Sequence, residues 1–564
     1  MRRLFSRFPA GLLLFALAGT TGSSSVVRAQ PPDARPAADA TPAAAATEQP
    51  VPESVMERGL NLERVRNWAG AIETYHTALE RWPSRADFSR RLRLCEIHFK
   101  LSRRYLDTSF RNILLRLPEE QAVDLYDEVV ERIQTNYVDP VPLEPLVRHG
   151  LDNLEVALRD PVFVKTNAPT ATPERVDLLR DQLREYRARL NIPDRSSAIR
   201  LALTSSEAAR NAIGMASTPI LLEFTCGACD ALDDFTSYLT PDKLEDLYAM
   251  IDGNFVGLGV ELKINKEGLL LVGVLRGGPA WEAGMKTGET IVKVGDRSLK
   301  GLGLDEAANR LQGSEGTTLE LEVKRRDGTV QSFRLVRRHV DVESVAKVGI
   351  VEPTDGIGYL RLTGFQKTSA DEIDKAVGTL VSQGMRVLVI DLRGNPGGLL
   401  NIAVDIAERF IDSGLIVSTR GRAQGQTQEL SANGRARWRM PLYVLVDHDS
   451  ASASEILAGA LQDHRRATIL GARTYGKGSV QSIFSLRSAP AGLKLTTAKF
   501  YSPLNRPYSE QGVQPDIPIK VRSAAKPDAN GSIPPEEANI GDPQLDVVLA
   551  AAIRTAKDQL HAAR

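Results

Sequence analysis

The feature that most constrains this chain is a strand–turn–helix unit at 386–411. Arg386 to Leu392 (RVLVIDL) is a nearly continuous apolar run, Gly394-Asn395-Pro396-Gly397-Gly398 breaks it, and Leu399 to Ile411 follows with helical spacing. A strand apolar on both faces must be covered on both faces, as in parallel sheets flanked by helices. The pattern recurs: Pro441 to Val446 (PLYVLV) is a second buried strand and Ala453 to Leu461 a second helix. Alternation of this kind across 341–525 predicts an α/β core on a largely parallel sheet.

At 564 residues the chain exceeds one hydrophobic core, and roughly 150 residues per domain gives three or four units. Residues 1–29 read as a signal peptide: Arg2, Arg3 and Arg7, then the short apolar run Gly11 to Gly19, then a small-residue cleavage site ending at Ala29. An uncleaved anchor is the alternative. No later stretch is long and apolar enough to span a bilayer, so the mature chain is expected outside the cytoplasm without a membrane span. Residues 30–53 are Ala-, Pro- and Thr-rich, a linker. Residues 54–108 read as a helical hairpin, and the stretch from Trp68 to Pro83 resembles one tetratricopeptide repeat. Residues 109–252 are mostly helical. At 253–340 short glycine-punctuated strands predict a small β-rich domain, with one helix at Asp305–Leu311. The tail 526–564 is polar and Pro-rich before an amphipathic segment, Leu545–Leu560.

Lys plus Arg equals Asp plus Glu at 71 each, so composition offers no nucleic-acid partner. Cys95, Cys226 and Cys229 are too few for a disulfide framework. The Cys226–Cys229 pair lacks the strand-to-helix context of a redox motif and predicts a local disulfide or two buried thiols.

Three loops carry chemistry. D-L-R-G-N-P-G-G (391–398) leaves backbone N–H groups uncovered, as an oxyanion hole needs. D-S-A-S-A-S-E-I (449–456) puts hydroxyls at a helix start, where unpaired amides favour negative charge. Y-G-K-G-S-V-Q (475–481) holds Lys477 between apolar stretches. A dry pocket lowers a lysine pKa, and a base at neutral pH needs a fall from about 10.4 to roughly 7–8. Taken singly, each loop also fits a bland reading: a turn, a Ser-rich helix cap, an exposed lysine. The run 471–478 nearly matches a phosphate-binding loop, but Gly478 stands where a hydroxyl is required and strands follow instead of a helix. A Ser–His arrangement through His448 or His464 stays open; no H-E-x-x-H motif is present.

DLRGNPGG, SASASEI, ALQDHRRATILG, TYGKGSVQ and GVQPDI stand in the order and spacing of the C-terminal processing peptidases, or tail-specific proteases, which this chain resembles. Asn136–Pro140 and Asp234–Leu239 resemble that family's helical cap, and 253–340 its PDZ domain. The resemblance implies a multi-domain α/β protein: a helical N-terminal region, a PDZ-like domain, and a peptidase core of the ClpP/crotonase type. It implies Ser452 as nucleophile, Lys477 as general base, Gln481 as its orienter, and an oxyanion hole from Gly398 and Ala453 with Gly397 close by. Backbone N–H groups near Gly257, Leu258 and Gly259 would hold a substrate carboxylate, with a preference for apolar C-termini. No metal or cofactor is implied. Two departures follow: Asp447 replaces a common Asn and could place a charge that opposes a neutral Lys477, with little damage expected because SASASE, GKG and Gln481 are intact, and 158–230 is expected to be an insertion in the cap. The hairpin 54–108 is an addition that would meet an adaptor or a second copy. The expected activity is that of an exported, periplasmic serine endopeptidase; a silent PDZ scaffold and a Ser–His hydrolase of non-protein substrates are the alternatives.

Overall fold

The computed structural model describes residues 51–302, 307–308, 310–313, 315–520 and 539–562, with the backbone of Leu12–Leu13. The expected signal peptide, apart from that dipeptide, most of the linker, and much of the helix at 305–311 lie outside the described residues.

Over 54–108 the expected hairpin is three helices, Pro52–Arg64, Trp68–Arg81 and Ala86–Leu106. Arg66 breaks the first with φ 57°, and Asn67 caps the second by accepting from the Gly70 amide at 3.0 Å. Ala71, Tyr75, Ala78, Phe88 and Cys95 form their small core.

A second helical unit follows. Glu119–Asn136, Leu143–Ala157 and Arg195–Ile213 pack against Ser217–Asp230, which is buried from Ser217 to Cys229. A Cβ on Gly227 would fall 2.5 Å from the Cα of Gly150, so only glycine permits this helix crossing. The segment expected as an insertion thus supplies the central helix of the unit. Cys226 and Cys229 lie on it as buried free thiols, and burial pushes Cys226 up to about 12, far from a reactive thiolate.

Residues 260–336 hold a five-stranded antiparallel path: Val260–Ile264, Leu269–Val274, Thr290–Val294, Thr318–Lys324 and Val330–Val336. Val260–Ile264 is an edge strand. Asn254–Gly257 instead pairs with Arg338–Asp341, where the chain enters and leaves this unit.

The last unit is the expected α/β core. Its sheet runs Val345–Glu352, Ile357–Leu362, Val387–Asp391, Leu442–Val446, Thr468–Gly471 and Ile517–Pro518, parallel after the first pair. The alternation of side chains decides what covers it. Leu388 and Ile390 face the helices Ser369–Ser382, Leu400–Glu408 and Ala453–Asp463. Val387 and Val389 face the C-terminal helix Val547–Ala562 through Val548, Leu549, Ala552 and Ile553. A second sheet pairs Ser479–Ser485 with Gly492–Tyr501, and the latter also takes Ser237–Leu239 from the helical unit. Leu486, Leu493 and Leu495 complete the apolar core of that helical unit.

Candidate active site

Ser452 joins a buried strand to the helix Ala453–Asp463 and serves as its N-cap. Its φ of 62° and ψ of −115° are unfavourable for any residue with a Cβ, costing about 1–3 kcal/mol. Glu455, fully buried, holds it there. One Glu455 oxygen accepts from the Ser452 amide (2.8 Å) and the Lys477 amide (2.9 Å). The other accepts from Thr474 Oγ1 (2.5 Å) and the Gly476 amide (2.7 Å). A single carboxylate therefore ties the predicted nucleophile to the predicted base through their backbones. This is the layout of a capping box. The helix amide approaches the serine side chain without closing a hydrogen bond, so Ser452 Oγ has no hydrogen-bond partner among the described residues.

Lys477 Nζ and Gln481 Oε1 are also buried and have no hydrogen-bond partner among the described residues. Gln481 is fixed by its amide nitrogen, which donates to Ser479 Oγ (2.9 Å) and Thr496 Oγ1 (3.2 Å). Lys477 is 1% exposed, and its Nζ lies 4.6 Å from the centroid of the Phe235 ring. Burial, reinforced by the charge of Lys494, lowers its pKa from 10.5 to about 7, against the opposing pull of Asp233 and Glu455.

The charge expected to oppose a neutral lysine was Asp447, and the structure corrects this. Asp447 Oδ1 accepts from the amides of Gly394 (3.0 Å), Asp449 (3.1 Å) and Ser450 (3.0 Å), so it is spent on closing the loop. The carboxylates acting on Lys477 are Asp233 and Glu455.

The amides of Gly398 and Ala453 donate to no described group. Gly397 is different: its amide donates to Asn395 Oδ1 at 2.9 Å and its carbonyl accepts from Phe365 at 3.1 Å. It contributes close approach rather than a donor, since a Cβ there would meet Ser452 Cβ at 2.8 Å. Gly398 has φ 151°, and its Cβ would fall 2.3 Å from the Phe365 carbonyl oxygen.

Neither histidine completes a Ser–His arrangement. His448 is exposed. His464 is the C-cap of the helix that begins at Ser452, about 18 Å away at 1.5 Å per residue, with Nε2 2.7 Å from the Leu415 carbonyl. In the β-rich unit, Gly257 ends a paired strand, and the amides of Leu258 and Gly259 donate to no described group. They lie immediately before the edge strand Val260–Ile264.

Glu455, Lys494, Phe235 and Asp233 were missed by sequence reasoning. Glu455 alone left a signal, the S-x-x-E spacing of a capping box. The others reach the site from the helical unit and a distant strand, which no local pattern announces.

The model for peptidase family S41 matches residues 356–519, and a PDZ-domain model matches 271–325. The chain is 38% identical over 288 residues to a carboxyl-terminal-processing protease of Synechocystis sp., covering 50% of this chain and 67% of that one. The corresponding values are 37% over 287 residues, 50% and 69%, for one from Picosynechococcus sp.. For the carboxy-terminal-processing protease of Bartonella bacilliformis they are 36% over 296 residues, 51% and 67%. On these matches, and with a PDZ domain inserted ahead of its catalytic core, the chain belongs to the carboxyl-terminal-processing serine proteases of peptidase family S41.

Proposed function

We propose that this protein is an exported endopeptidase that works with a Ser452–Lys477 dyad and processes or degrades protein substrates bearing apolar C-termini. The observation that carries the reading is a set of three buried polar atoms without a hydrogen-bond partner among the described residues: Ser452 Oγ, Lys477 Nζ and Gln481 Oε1. Unsatisfied buried polar groups are costly, and these three have complementary chemistry. A neutral Lys477 takes the hydroxyl proton of Ser452 while Gln481 Oε1 accepts a lysine N–H and orients the amine. Ser452 Oγ attacks the scissile carbonyl, whose oxygen becomes an anion that the Gly398 and Ala453 amides receive. Lys477 passes the proton to the leaving amine. An acyl-enzyme on Ser452 remains, and water activated by the same lysine releases it.

The PDZ unit contributes recognition. An extended substrate tail adds to the edge strand Val260–Ile264 and sets its carboxylate on the amides of Leu258 and Gly259. Relatives named for carboxyl-terminal processing support the assignment of protein C-termini as substrate. No described helix is long and apolar enough to cross a membrane, and export rests on the N-terminal sequence. The helices at 54–108 are the proposed contact for an adaptor or a second copy.

The test is cleavage of a loosely folded protein with an apolar C-terminus, compared with Ser452→Ala and Lys477→Ala. Both variants should bind without cutting. Cleavage that survives either change refutes the dyad, and binding without turnover by the parent supports a scaffold instead.

A further inference from the structure

The loop that carries Gly398 is gripped by the far end of the chain. Arg393, 7% exposed, sits between two carboxylates. Its Nε and Nη2 donate to Asp391 at 2.9 and 2.6 Å. Its Nη1 and Nη2 donate to Asp546 at 2.9 and 2.5 Å. Paired, planar contacts of this kind fix a guanidinium in orientation as well as in place. Asp391 belongs to the adjacent strand and is itself held by Tyr359 OH at 2.7 Å. Asp546 comes from the opposite face of the sheet. It opens the helix Val547–Ala562 by accepting from the amides of Val548 and Leu549 (3.1 Å each) and of Gly541 (2.9 Å).

The loop then runs directly to the nucleophile. The Asn395 carbonyl accepts from the Ala451 amide (3.0 Å) and Ser454 Oγ (2.9 Å), on either side of Ser452. Asn395 Oδ1 accepts from the Gly397 amide, and its Nδ2 donates to the Leu362 carbonyl at 2.8 Å. Helix capping alone requires only a short polar side chain at position 546, for which serine or asparagine would serve. A bidentate grip on Arg393 requires a carboxylate.

We propose that Asp546 is a positioning residue for catalysis: by holding Arg393 it sets the 394–398 loop so that the Gly398 amide faces the reacting carbonyl oxygen. The C-terminal helix is then a working part of the active site as well as a cover for the sheet. This rests on the oxyanion role given to Gly398 above. A misaimed donor lowers the chemical step and leaves ground-state binding alone.

Asp546→Ser keeps a helix cap and loses the grip on Arg393; Asp546→Asn keeps part of the grip and is the milder change. Lys557→Ala is the control, because it loosens the same helix at its Glu352 pair (3.0 Å) without touching Arg393. Turnover is measured per serine titrated with an irreversible serine-directed reagent, so unfolded molecules do not count. Hydrogen exchange of the 391–399 peptide is followed in parallel. Asp546→Ser should lose kcat on the order of 10–100-fold with KM unchanged, Asp546→Asn less, and both should exchange faster in the loop; Lys557→Ala should match the parent. Parent-like kcat and loop exchange in Asp546→Ser would overturn the proposal, as would an equal loss in Lys557→Ala. If the parent itself does not cleave, the dyad reading fails, and loop exchange still decides the role of Asp546.

Discussion

Replacing the buried lysine with an apolar side chain of similar length should abolish activity and stabilise the protein. In Lys477→Met no hydrogen bond of the resting structure is lost, because Nζ has no partner among the described residues. The methionine sulfur makes its own favourable contact with the Phe235 ring. What is gained follows from linkage. With a pKa of about 7 in the folded protein against 10.5 for an exposed lysine, Lys477 is protonated in the unfolded chain and largely neutral in the folded one between those values. The unfolded state binds the extra proton there, so the parent gains stability as pH rises through that window. At pH 7 the neutral lysine costs on the order of 4 kcal/mol; near pH 9 the cost falls to about 2 kcal/mol, and it vanishes above the unfolded pKa. Lys477→Met removes this cost. Thermal melts of parent and variant from pH 6 to 10, followed by circular dichroism, should show the variant melting higher by several degrees at pH 7, with the gap closing towards pH 10. A variant no more stable than the parent at pH 7, or a gap independent of pH, would refute the claim that burial holds this lysine neutral.

The pH dependence of kcat/KM should show an acid limb near pH 7, falling about tenfold per unit below it as Lys477 takes up a proton. Lys494→Met removes the buried cation that helps depress Lys477 and should move that limb to higher pH; an unmoved limb would show that Lys494 acts only in packing. Glu455→Gln leaves one oxygen to serve four donors. The loss of charge-assisted bonds and a misfit at the Gly476 amide should cost about 2–4 kcal/mol, seen as a lower denaturation midpoint together with reduced kcat. Gly398→Ala must displace the Phe365 carbonyl, which stands 2.3 Å from the added Cβ. Turnover should fall by at least the roughly 100-fold expected for loss of one oxyanion donor, and acylation kinetics with a slow ester substrate would measure it.

The α/β core was legible because its strands and helices are each written in a local period: Val387 to Asp391 and Leu442 to Val446 are buried throughout, as the unbroken apolar runs required. Ser452, Lys477 and Gln481 were singled out by motif order, and the fold buries all three. The charges around them were not legible. Asp447 lay close in sequence and was expected to oppose Lys477, yet three backbone amides occupy it. The hairpin at 54–108 was one helix short, because nothing in its apolar pattern foretold the left-handed turn at Arg66.

Sequence alone therefore determined most of the local elements and singled out the candidate residues, since both depend on neighbours along the chain. Tertiary structure decided what surrounds them. The lowered pKa of Lys477 depends on burial beside Phe235, from the helical unit, and on the charge of Lys494 from a separate strand, against the pull of Asp233. The loop at 394–398 is anchored through Arg393 to Asp546 from the chain's far end. Desolvation and buried charge pairing act through space, so they are set only when distant segments close over the same few atoms.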